Sequence, residues 1–170
     1  MPHEPDIVAE SRPVSGWLFV GPERRMYHEP HDLIVANGVY RVDRPCFCWW
    51  GLEPSETPID AVMNARGSVC CRVSAWGEVV RGVGRFVASS VRVEWVEDAG
   101  DALRSFAVEQ GAPAWRPGDP HHLAAVAIRV ATIPGDMPAT KAARDRAERA
   151  VKDGLNERLA ARLMGLAPGR

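Results

Sequence analysis

The chain has 170 residues, 21 basic and 22 acidic, with a formal net charge of -1; it lies in the single-domain range and is long enough to bury a core without disulfide or metal staples. So balanced a charge offers no global field to recruit nucleic acid or an anionic membrane, and neither is expected as a partner. No apolar run approaches the roughly 20 residues that span a bilayer, and Met1-Pro2-His3-Glu4-Pro5-Asp6 lacks the basic-then-apolar order of a signal peptide, so the expectation is a soluble, cytoplasmic protein.

Residues 1–15 are rich in proline and acid with no apolar period, the composition of an extended or mobile arm. Trp17 to Val20 is a short apolar run between Gly16 and Gly21-Pro22, and its length and aromatic content predict a buried strand. Leu33 to Ala36 reads as a second strand, Asn37-Gly38 as a hairpin turn whose residues both accept positive φ, and Val39 to Val42 as the returning strand. After Arg44-Pro45 comes a dense aromatic segment, Cys46-Phe47-Cys48-Trp49-Trp50. A short helix follows, with Thr57 as cap, Pro58 at the first helical position, Asp60 at the positive end of the dipole, and Ile59, Val62 and Met63 as its apolar stripe. Gly67 is expected to lead the chain out in the left-handed conformation.

Val69, Cys71, Val73 and Ala75 alternate with Cys70, Arg72, Ser74 and Trp76, a strand that sets Cys70 and Cys71 on opposite faces. It continues through Glu78-Val79-Val80, turns at Gly82-Val83-Gly84 and returns over Phe86 to Val96. From Asp98 the spacing changes to that of an amphipathic helix through Ala99, Ala102, Leu103, Phe106 and Ala107. Asp119-Pro120 opens another helix; within Leu123 to Ile133 alanine favours helix while Val126, Ile128 and Val130 alternate like a strand, and helix is preferred. Pro134 to Pro138 is a linker, and Thr140 to Met164 is rich in helix formers. The fold class expected is α+β, a mostly antiparallel sheet with packed helices. Its organisation is an arm over 1–15, a domain over 16–133 and a long C-terminal helix over 139–165.

Chemical motifs are sparse. Gly82-Val83-Gly84 lacks a third glycine and runs into a strand, so it is a turn rather than a phosphate loop. Cys46, Cys48, Cys71 and His28 can be assembled into a zinc set. Structural zinc favours ligand pairs with two-residue spacers, however, and Cys70 and Cys71 point apart, so reduced thiols acting as small hydrophobes are preferred and no metal or other cofactor is expected. His121-His122 reads as part of a first helical turn. The basic residues of the last helix are interleaved with acids, as on a solvated face. Its seam is different: Val151, Leu155, Leu159 and Leu163 form a narrow apolar stripe, the candidate binding surface for a partner protein or a second copy in a homo-oligomer.

The ordered set Gly38-Val39-Tyr40-Arg41-Val42-Asp43, Cys48-Trp49-Trp50-Gly51-Leu52, Thr57-Pro58-Ile59-Asp60-Ala61, Cys71-Arg72-Val73, Gly77-Glu78-Val79-Val80 and Trp95 resembles an uncharacterised family of actinobacteria and their phages. In that family a glycine-leucine-histidine-alanine-serine segment precedes a short helix and a glycine-glutamate-valine-valine strand. The resemblance covers about residues 17–107, and this chain departs from it at Glu53 and Pro54, where the family has histidine and alanine. It implies a fold and a phage or prophage-type origin but no assigned reaction; the lack of a convergent catalytic set, together with the narrow apolar helix beyond the linker, makes a non-enzymatic accessory protein that acts by protein binding or self-association the expectation. The same segment also resembles, loosely, the nicotinamide-framing part of ADP-ribosyltransferases. That likeness implies an NAD-using enzyme in which Ser55 stands near the nicotinamide and Glu109 orients the ribose, although the histidine or arginine anchor of the first strand is absent.

Overall fold

The computed structural model describes residues 7–27, 31–47, 52–113, 118–132 and 140–169. The elements run β1 (Ile7–Val20), β2 (Val39–Arg41), α1 (Pro58–Met63), β3 (Val69–Arg81), β4 (Phe86–Asp98), α2 (Gly100–Glu109), α3 (Pro120–Thr132) and α4 (Lys141–Met164). The four strands form one antiparallel sheet in the order β1-β3-β4-β2, and the class is α+β. The β3–β4 hairpin turns at Gly84, whose φ of 68° favours glycine.

The period of two in β3 divides the core. Cys70 faces the helices, in a cluster with Trp17, Phe19, Trp95, Leu103 and Phe106. Cys71 faces the other way, among Val73, Val93, Phe86, Ile34 and Leu52, so the two cysteines do lie on opposite faces. The helix-side face carries a cross-strand row in which Trp17 pairs with Arg72 and Arg72 with Trp95. The Arg72 guanidinium sits 4.4 Å from the Trp17 ring centroid, and the two indoles meet edge-on at 6.1 Å. The ladder shifts register just beyond this row, between Arg72 and Val73.

Several expectations are corrected. The arm ends sooner than its composition implies, because β1 begins at Ile7 and pairs with β3 from Ile7↔Val80 onward. Pro13 is tolerated since it falls in the irregularity between Glu10 and Val14 on an edge strand, where the ladder does not need its missing N–H. Leu33 to Ala36 forms no strand, only a single bridge from Leu33 to Arg25. The turn at Asn37 exists, with φ 62° and Gly38 N donating to Val35 O at 3.1 Å, but the returning strand pairs with β4 instead. A side chain takes over from the absent ladder: the Tyr40 hydroxyl donates to Leu33 O at 2.8 Å and accepts from Val35 N at 2.9 Å.

The largest correction concerns α4. Leu155, Leu159 and Leu163 are 0% exposed and belong to the helix-side core, whereas Val151 is 39% exposed. The four-residue spacing fits a groove lined by α1, α2 and α3, which α4 contacts, and the Asn156 carboxamide oxygen accepts from Ile59 N at 3.0 Å. At about 1.5–3 kcal/mol for each fully buried leucine, the helix gains more from its own domain than from standing apart. α4 therefore belongs to the same core as the sheet and is not an appended binding element. The linker at Pro134 to Pro138 lies outside the described residues. Leu123 to Thr132 is helical, as alanine content favoured. Among the described residues no helix is long and apolar enough to cross a membrane.

Candidate functional site

The site is built on the exit of α1. Thr57 caps this short helix, its hydroxyl oxygen accepting from Asp60 N at 3.3 Å and donating to the Asp60 carboxylate at 2.8 Å, with Pro58 at the first position. Ile59, Ala61 and Val62 are buried, so the helix is anchored on one side and delivers Met63 to Arg66 beside β1. Gly67 holds the two together by its size and not by its backbone angle. It does not adopt positive φ; instead a Cβ there would stand 2.5 Å from Val20 O and 2.7 Å from Gly21 Cα. Arg66 N donates to Phe19 O at 3.3 Å across the same contact.

Opposite this wall stand Met26 and Tyr27, the segment Leu52-Glu53, and Arg85 at the end of the β3–β4 turn. Together they enclose a recess of about 260 Å³. Its floor is apolar, with Leu18, Val20, Met26, Leu52 and Met63. Its rim is charged: Arg85 Nη1 lies 2.5 Å from Glu53 Oε2, and the Arg85 guanidinium is 5.2 Å from the Phe47 ring centroid. Arg66 stacks over Tyr27 at 4.1 Å. Among the described residues the lining thus sets two guanidinium groups against one carboxylate.

The residues singled out by sequence fall elsewhere. Ser55 is 1% exposed, exchanges both backbone hydrogen bonds with Trp17 at 2.8 Å, and keeps a buried hydroxyl with no partner among the described residues. Glu109 is exposed at the end of α2 and ion-paired with Arg162 of α4. Neither lines the recess; Glu109 is committed to Arg162, and Ser55 is held through its backbone. Cys46 is exposed and Cys71 is buried; burial pushes the Cys71 thiol up to about 12, which keeps it from being a ready thiolate ligand. Cys48 and His28 lie outside the described residues, among which no group of three or more His, Cys, Asp or Glu side chains could hold a metal ion. His121 is buried at the start of α3, with Nδ1 3.5 Å from Ser68 Oγ, but Asp119 lies against His122 at 3.8 Å. That arrangement does not align the acid behind the imidazole as a nucleophile's base would require.

Arg66 and Arg85 carry no sequence signal as site residues, since each stands beside a glycine turn like many surface arginines. Glu53 does carry one, as the departure from the family pattern. Met63, expected on the apolar stripe of the helix, is partly buried against the helix-side core with Ile59 and Val62 and also lines the recess. Compared with protein-family models, curated proteins and solved structures, the chain matches none.

Proposed function

We propose that this is a non-enzymatic binding protein whose recognition element is the recess beside α1. The makeup of that recess carries the reading. An apolar floor and a charged rim provide what a docked side chain needs, while the described lining residues include no serine, threonine, cysteine, histidine or lysine, and the lining's Glu53 and Tyr27 are engaged by Arg85 and Arg66. A volume of about 260 Å³ is small beside the ~300–1,000 Å³ of sites that enclose a drug-sized ligand, and suits one or two side chains of a partner protein. The burial of Leu155, Leu159 and Leu163 removes the surface on which self-association rested, so the partner is read as a different protein.

The test is selection from a random peptide library against the wild type and against Asn64→Trp, which places an indole at the mouth of the recess from an exposed position. Binders of the wild type are expected to lose about tenfold or more in affinity for the variant, a change of roughly 1.4 kcal/mol, with the fold verified by circular dichroism. Binders indifferent to the block, or none at all, would overturn the proposal.

A further inference from the structure

We infer that the recess selects a partner segment in which an apolar side chain stands next to a carboxylate. This inference rests on the binding role of the recess and adds the chemistry of its occupant. The two arginines of the rim are not equivalent. Arg85 is committed to Glu53, whose side chain is 13% exposed, so that pair is close to neutral towards an incoming group. Arg66 has no acidic partner among the described residues; its guanidinium carbon lies over the Tyr27 ring, 4.1 Å from the centroid, and its backbone N donates to Phe19 O.

Stacking occupies the face of a guanidinium and leaves its edge, which carries the N–H donors in a fixed fork. The ring also restricts the rotamers of the arginine, so less freedom is lost when an acceptor docks. A carboxylate meets that edge in the bidentate geometry that strengthens charge-assisted hydrogen bonds. The apolar floor begins at Met63, three positions before Arg66 in the chain, and continues over Leu18 and Val20. An aliphatic side chain seated there brings an adjacent acidic residue to Arg66. A basic residue in that place would meet a guanidinium that has no acidic partner among the described residues, which disfavours it.

The probes are acetyl-Leu-Leu-Glu-Leu-amide and its Gln and Lys counterparts, titrated into the full chain and followed by the methyl resonances of Leu18, Met26, Leu52 and Met63. The Glu peptide is expected to bind about tenfold more tightly than the Gln peptide, and the Lys peptide more weakly than either. In Arg66→Gln the Glu and Gln peptides should bind alike, and Arg66→Lys should restore only part of the difference because it keeps the charge and loses the fork. If the methyls shift equally for the Glu and Gln peptides, or most for Lys, the anionic preference is wrong while the recess remains a binding site. If no peptide shifts them, both readings fall.

Discussion

The two faces of the sheet are covered by different means. On one face Cys70, Trp17 and Trp95 meet helices whose apolar stripes interlock, and Leu155, Leu159 and Leu163 complete the layer from the far end of the chain. On the other face Cys71, Val73 and Val93 are covered mostly by chain without regular structure, with Met26, Ile34 and Leu52 pressed onto the sheet. Both covers exclude water equally well, since Ile34 and Leu159 are each 0% exposed. They differ in what fixes them. Helical stripes are positioned by their own period, whereas the irregular cover hangs on single contacts such as the Tyr40 hydroxyl and the approach of Gly67 to Val20. The recess lies along the second cover, where gaps between irregular segments are not closed by a repeating surface.

Cavity-forming substitutions offer the strongest way to break this comparison. Leu159→Ala should cost about 2–5 kcal/mol in urea unfolding, towards the upper end because α4 sits in a groove whose three helices hold the site open. Ile34→Ala removes a similar side chain and should fall towards the lower end, since an irregular segment can settle into the space. Equal losses at the two positions would show that the loop cover is as rigid as the helical one. A loss below about 1 kcal/mol at Leu159 would mean that α4 is not docked.

A smaller effect is expected at the border of the recess. Gly67→Ala forces a methyl group against the Val20 carbonyl, backbone that cannot turn aside as a side chain can. Overpacking of this kind costs about 1–3 kcal/mol, and here it should also widen the recess, so peptide binding and stability should fall together. Gly67→Ala that is as stable as the wild type would show that the α1 exit has slack.

Most of the regular frame was legible in the sequence, and the reason is periodicity. The alternation from Val69 to Trp76, the spacing of Leu103 and Phe106, and the Thr57-Pro58-Asp60 start each express a local rule. What escaped was decided by distant partners. β1 extends back to Ile7 because β3 supplies a ladder, and nothing in residues 7–15 announces it. The leucine stripe of α4 was visible, but its partner was not: a stripe of that width serves a groove in its own domain as well as one in another molecule. The recess was hardest to foresee, because Leu18, Arg66 and Arg85 come from three separate segments and each is ordinary alone.

The smallest expected effect lies on the helix side and comes from His121. Its imidazole is 7% exposed at the start of α3. Burial lowers its pKa from the ordinary value, the neighbouring His122 lowers it further, and Asp119 opposes the shift in part. The unfolded chain, with a histidine pKa of about 6.5, then binds more protons than the folded one between that value and the lowered one, so stability rises with pH across this window. The contribution is fully present above about pH 6.5 and is lost as pH falls through the folded pKa. His121→Gln retains an acceptor for Ser68 and removes the titration, so its unfolding free energy should change less than that of the wild type between pH 7 and 5, above the range where most carboxylates titrate. Parallel curves for the two proteins would show that His121 is hydrated in the folded state, and that the helix cover is open at the start of α3.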